Sequence, residues 1–155
     1  MTLVMGKCDS EPPVFVNTVK VQSAKDMYDA VIERADSMDI IVKAAAVADY
    51  RPKNVSSEKV KKQDGNMSIE LERTDDILKT LGERKNGQFI CGFSMETENM
   101  LENSRKKLEK KNCDMIVANN LKQDGAGFGG NTNIVTLITK DDEVQLENMT
   151  KDEVA

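Results

Sequence analysis

Hydrophobic positions along the chain change period several times, and each change marks an element. Thr2 to Met5 and Val16 to Val21 read as strands, whereas Met27, Val31, Ala35 and Met38 recur at helical spacing and give one apolar face. Ser23 with Asp26 three residues on is a variant of the capping box, so that helix starts there and runs to about Asp36. Met38 to Val42 reads as a buried strand. Met67 to Leu71 alternates weakly as another strand, and Thr74, Asp75 and Asp76 open a short helix carrying Ile77, Leu78 and Leu81, which Gly87 helps to end. Gln88 to Phe93, Glu98 to Lys111 and Cys113 to Ala118 follow as strand, helix and strand, a βαβ unit with an expected right-handed crossover. Ile134 to Thr139 and Glu143 to Leu146, separated by Lys140, Asp141 and Asp142, form a closing hairpin.

This alternation predicts an α/β fold: a doubly wound, mostly parallel sheet with helices on both faces and an antiparallel hairpin addition. Its ligand should lie beyond the carboxyl ends of the parallel strands. Strands ending near Val42, Phe93 and Ala118 would bring Ala44 to Asp49, Ser94 to Thr97 and Asn119 to one crevice. The 155 residues fit a single domain, 1–155, and show no internal repeat.

Composition narrows the chemistry. With 39% hydrophobic and 32% charged residues and a formal net charge of -5, the chain reads as a soluble globular protein and no general nucleic-acid binder, so any anion site must be local. No apolar run approaches the roughly 20 residues of a membrane span and nothing resembles a signal peptide, so no membrane is expected and cytoplasm is the default. Cys8, Cys91 and Cys113 lack metal-type spacing and read as free thiols, the last two as packing residues in apolar strands. The absence of histidine removes Ser-His and Cys-His nucleophile pairs and His-ligated metal sites. Reactions driven by positioning and charge stabilisation, phosphoryl and nucleotidyl transfer among them, remain open.

The chemistry-bearing stretch runs from Lys43 to Gln63. A loop of small residues, Ala44, Ala45, Ala46 and Ala48, leaves room for close backbone approach, and Asp49, Arg51 and the run Lys59, Val60, Lys61, Lys62 follow, a combination suited to a phosphorylated ligand. On a strand, Lys59 and Lys61 would share one face, and a charge-blunted edge strand would look the same. Asp49 is either a turn residue or a ligand contact for ribose, base or metal. Arg51 forks onto either a phosphate or a carboxylate. Gly125 to Gly130 matches the G-x-G-x-x-G expression, but Ile134, Val135 and Thr136 follow where that motif needs a helix, so the segment reads as a loop over the crevice instead.

The same stretch resembles the phosphopantothenoylcysteine synthetases of coenzyme A biosynthesis, which have a similar Ala-Ala-Val-Ala-Asp-Tyr-Arg element and, about ten residues on, a Lys-hydrophobic-Lys-Lys element. Here these are Ala45 to Arg51 and Lys59 to Lys62. Asp76-Ile77-Leu78, Cys91 to Thr97, Asp114 to Asn119, and Gly127-Phe128-Gly129 with Asn133 extend the likeness in the same order, over about Ala44 to Ile138. The resemblance implies a Rossmann-like ligase that joins cysteine to 4'-phosphopantothenate through an acyl-cytidylate made from CTP with Mg²⁺. It implies Lys59 as the catalytic lysine. It also implies a nucleotide site of Lys43, Ala44, Ala45, Asp49, Lys59, Asp75, Asp76, Ile77, Leu78, Phe93, Lys107 and Lys111, and substrate contacts from Arg51, Asn119 and Phe128. Members are dimeric, which makes the edge segment Glu58 to Leu71 a candidate for pairing across a two-fold axis. A phosphopantothenoylcysteine decarboxylase, fused or separate, is an implied partner. Against the family pattern, the sequence starts at what resembles the second strand, without the Asn and Ser-Ser-Gly-Lys elements of the first βα unit, and its last helix is expected to be short. Asp75 also stands where members often have Pro. A nucleotide-binding or dimerising module without turnover is therefore the alternative expectation.

Overall fold

The computed structural model describes residues 1–62, 65–120 and 130–155, with Asn120 described by its backbone. The chain divides into two compact units, Met1–Val31 with Ala45–Asp76 and Ile32–Ala44 with Ile77–Ala155.

The second unit carries the main sheet. Its five strands lie in the order β10 (Glu143–Gln145), β9 (Val135–Ile138), β7 (Met115–Asn120), β6 (Phe89–Glu96) and β3 (Ile40–Lys43). β3, β6 and β7 are parallel, with Val42 opposite Cys91 and Phe93 opposite Val117. β9 runs antiparallel to β7, and β10 closes the expected hairpin against β9. This is the anticipated mixed α/β architecture, a mostly parallel central sheet with antiparallel strands added.

One sheet face is buried at its centre: Ile90, Ile116, Ala118 and Ile138 alternate with the other face and are almost wholly out of solvent. On this side Leu78 of α2 (Ile77–Arg84) lies over Gly92, where a Cβ would stand 2.8 Å from its Cδ2. α3 (Met100–Lys110) packs on β6 and β7. On the opposite face Cys91, Val117 and Val135 form a cluster closed by Leu146 and by Val154 of α4 (Lys151–Val154). That one-turn helix, capped by a Thr150–Glu153 box, and the small ladder of β8 (Thr132–Asn133) with β11 (Met149–Thr150) are too short to show in a sequence period.

The expectation of a buried strand over Met38 to Val42 needs correction. The strand begins at Ile40, ends the sheet, and leaves Ile40 and Val42 exposed, because an edge strand has a neighbour on one side only.

In the first unit β1 (Thr2–Met5) pairs in parallel with β2 (Asn17–Lys20). α1 (Ala24–Ala35) begins as the sequence indicated: Ser23 N–H donates to Asp26 Oδ2 at 2.9 Å and Asp26 N–H to Ser23 Oγ at 3.1 Å. β4 (Tyr50–Pro52) and β5 (Leu71–Arg73) form an antiparallel pair. The weak alternation of Met67 to Leu71 thus becomes a strand only at its end. Lys59 and Lys61 lie on no strand, since the described residues from 53 to 70 offer them no ladder partner.

Candidate functional site

The carboxyl edge of the parallel strands is the position at which a sheet of this kind presents its loops. Here β3 ends at Lys43, opposite Gly92, and passes directly into the exposed Ala44. β6 runs on through Phe93, Ser94, Met95 and Glu96, beside Val117, Ala118, Asn119 and Asn120 of β7. Three of the expected contacts, Lys43, Phe93 and Asn119, therefore belong to neighbouring strands of one sheet. Lys107 joins them from α3, its Nζ donating to the Phe93 carbonyl at 2.8 Å.

A polar network that the sequence reading passed over braces this edge. The buried Ser94 hydroxyl donates to Glu96 Oε1 at 3.0 Å. Asn103 Nδ2 donates to Glu96 Oε2 at 3.3 Å and to the Glu98 carbonyl at 3.1 Å, which ties the end of β6 to the first turn of α3. Asn99 precedes that turn in the left-handed region, at φ 49°, and supplies no side-chain cap. Ser94 and Glu96 stand at i and i+2 on a strand and so share a face, which was the one available signal.

The motif residues of the other unit form an exposed surface. Ala45, Ala46, Ala48 and Asp49 are open to solvent, and the loop is held from below by Thr74, whose Oγ1 donates to the Ala48 carbonyl at 2.6 Å and whose N–H donates to that of Asp49 at 3.0 Å. Lys59, Lys61, Lys62, Asp75 and Asp76 are exposed as well. The Arg51 guanidinium meets the Glu72 carboxylate at 2.7 Å across the β4–β5 ladder.

Other expected contacts sit elsewhere. Ile77 and Leu78 are buried in the core, so a ligand would reach only their backbone. Lys111 follows the last turn of α3 and its carbonyl lies against Gly82 of α2, near the start of β7 and away from the carboxyl edge. Phe128 and the glycine segment through Gly129 lie outside the described residues. Burial raises the thiol pKa of Cys91, and burial with the neighbouring Cys91 raises Cys113 to about 11, so both stay protonated and poor nucleophiles, as their packing role implied. Among the described residues no three His, Cys, Asp or Glu side chains lie together as a metal cage.

Comparisons with known proteins show the family and the fold. The family model for the DNA/pantothenate metabolism flavoprotein C-terminal domain matches residues 1–155. The coenzyme A biosynthesis bifunctional protein CoaBC of Bacillus subtilis (strain 168) is 53% identical over 131 residues, 84% of this chain and 32% of the relative. A cysteine/cysteine sulfinic acid decarboxylase from an unknown prokaryotic organism is 42% identical over 158 residues, 100% of this chain and 44% of its own. The chain thus spans less than half the length of either relative. A crystal structure of the C-terminal domain of a coenzyme A biosynthesis bifunctional protein CoaBC superposes with a TM-score of 0.81 at 46% identity, covering 99% of this chain and 67% of that one.

Proposed function

Because the chain belongs to the family of DNA/pantothenate metabolism flavoprotein C-terminal domains, we propose that it forms the nucleotide-binding part of a ligase of coenzyme A biosynthesis that joins cysteine to 4'-phosphopantothenate. The reading assigns CTP as the nucleotide and an acyl-cytidylate as the intermediate. The observation that carries it is the carboxyl edge of the sheet, where Lys43, Phe93 and Asn119 stand on adjacent strands and Ala44 opens the exposed alanine loop.

A carboxylate is a poor electrophile, and its attack on an α-phosphate builds negative charge on phosphate oxygens while pyrophosphate leaves. Positively charged groups that meet this charge lower the barrier. Lys59 is assigned that role, being exposed and ten residues past Asp49 in a stretch with Lys61 and Lys62. Ala44 and Ala45 let backbone groups approach the base or ribose, and Asp49, Asp75 and Asp76 accept hydrogen bonds from amino or hydroxyl groups there. On the main sheet Phe93 is assigned a nucleotide contact, and Lys107, bound to the Phe93 carbonyl, positions that strand end. Arg51 reaches a phosphate only by giving up Glu72. The described residues form no cage for Mg²⁺, so the ion would have to take most of its ligands from nucleotide phosphates and water.

The exposed alternation of Met67, Ile69 and Leu71 beside β5 supports pairing with a second copy of the chain. A phosphopantothenoylcysteine decarboxylase, fused or separate, remains the proposed functional partner, and the bifunctional CoaBC relatives support it. The alternative reading is a nucleotide-binding module without turnover.

Calorimetric titration with CTP and with ATP in Mg²⁺ tests the site. CTP is expected to bind in preference, and Lys59→Ala and Asp49→Ala each to weaken it by about tenfold, the worth of roughly one charge-assisted hydrogen bond. Pyrophosphate release from CTP and 4'-phosphopantothenate then separates ligase from module. Binding that neither substitution weakens would remove the assignment.

A further inference from the structure

The loop that carries Asp49 is fixed by one residue used twice. In the β4–β5 ribbon Tyr50 faces Arg73 and Arg51 faces Glu72, and the pairing runs one residue further, where Thr74 N–H donates to the Asp49 carbonyl at 3.0 Å. The next carbonyl back, that of Ala48, accepts from the Thr74 hydroxyl at 2.6 Å. Thr74 thus satisfies two consecutive peptide carbonyls, one with its backbone and one with its side chain. Packing gives the loop little hold, since Ala44, Ala45, Ala46, Ala48 and Asp49 are all exposed. The ribbon beneath is braced by paired side chains instead. The Arg73 guanidinium lies 5.8 Å from the Tyr50 ring centroid, and Arg51 and Lys53 each meet a carboxylate, Glu72 and Glu70, at 2.7 Å.

Charge decides what this end of the ribbon can receive. Thr74 joins Asp49 to Asp75 and Asp76, which follow it directly, and all three carboxylates are exposed. They repel a phosphate and accept hydrogen bonds from amino or hydroxyl groups. We propose that Thr74 is a positioning residue for the nucleoside end of the nucleotide: its hydroxyl sets where Asp49 stands relative to Asp75, while Lys59 meets the phosphates without its help. This role rests on the nucleotide reading given above and adds to it the residue that holds the two motif segments, Ala45 to Arg51 and Asp75 to Asp76, in one arrangement.

Calorimetric titration of the full chain and of Thr74→Val tests this, with CTP and with inorganic triphosphate, each in Mg²⁺. Inorganic triphosphate has the phosphate chain and neither ribose nor base. Valine keeps the branched shape of threonine and removes the hydroxyl. CTP affinity is expected to fall about tenfold, as one lost hydrogen bond would give, and triphosphate affinity to stay within about twofold of the parent's. Thr74→Ser, which restores the hydroxyl, should recover CTP affinity. Hydrogen exchange reads the hold with no ligand present: the amide at position 74 should exchange about tenfold faster in Thr74→Val and return to the parent's rate in Thr74→Ser. Equal CTP binding by the parent and Thr74→Val, an equal loss for both ligands, or unchanged exchange at position 74 would overturn the positioning role alone. A parent chain that binds no CTP would overturn the nucleotide reading itself, and this role with it.

Discussion

Asp114 shows how a single side chain can hold several strand ends together. Its Oδ1 meets Lys85 Nζ at 2.6 Å and its Oδ2 accepts from Ile90 N–H at 2.7 Å, so the turn after α2, the start of β6 and the approach to β7 converge on one carboxylate. Burial alone would raise its pKa. The Lys85 hydrogen bond, the Ile90 N–H and the Lys85 charge outweigh that and hold the group below the usual carboxylate value. A carboxylate whose pKa is lower folded than unfolded stabilises the fold fully above about pH 4 and loses that contribution as pH falls through the folded value. Asp114→Asn is expected to cost about 2 kcal/mol near neutrality in urea unfolding. The variant should also lose less stability than the parent on acidification; an equal acid loss in both would show that other carboxylates govern it. At this scale the sequence exposed chemistry better than partnership. Asp49 and Lys59 stand out because alanines and lysines surround them, whereas the Glu96–Asn103 contact joins two elements and leaves no mark in either.

Between elements, close approach reverses an ordinary rule. A glycine inside a helix usually destabilises it by about 1 kcal/mol relative to alanine. Gly82 of α2, however, lies against the Lys111 carbonyl after α3, and Asn112, held at φ 50°, donates from Nδ2 to the Gly82 carbonyl at 3.0 Å. A Cβ at position 82 would strike backbone, which cannot swing aside as a long side chain can. Gly82→Ala is therefore expected to lower stability by about 2 kcal/mol, read from thermal unfolding, where an exposed helix would gain. Elements with a full period behind them were legible: α1 from its capping box and apolar face, β6, α3 and β7 from their order, β9 and β10 from the short polar turn. β4 was not, being a three-residue strand that ends in Pro52. Around Lys59 the shared face of Lys59 and Lys61 was conditional on a strand, and none forms there among the described residues. The edge position of β3 was equally hidden, since an apolar run does not say how many neighbours it will have.

Across the whole molecule, burial is uneven. Of the buried hydrophobic residues described, only Val21 and Ala30 belong to the unit of Met1–Val31 and Ala45–Asp76, and the remainder belong to the other. Local opening costs least where few apolar contacts are lost, so the lysine-bearing stretch should be the first to admit a protease. Lys53, Lys59, Lys61 and Lys62 are all exposed and offer trypsin adjacent sites. The proposed nucleotide site includes Lys59 of this stretch, which couples function to this weakness: a ligand that binds only the closed form lowers the open population in proportion to its saturation. Trypsin is therefore expected to cut first within residues 53–62. CTP with Mg²⁺ at about ten times its dissociation constant should slow that cut roughly tenfold, while ATP at the same concentration should slow it less. Lys59→Ala should remove most of the CTP protection without speeding cleavage of the ligand-free chain, because an exposed lysine contributes little to its fold. Early cleavage inside the five-stranded sheet would contradict the uneven burial. Equal protection by both nucleotides would leave Lys59 as a phosphate contact with no preference for the base.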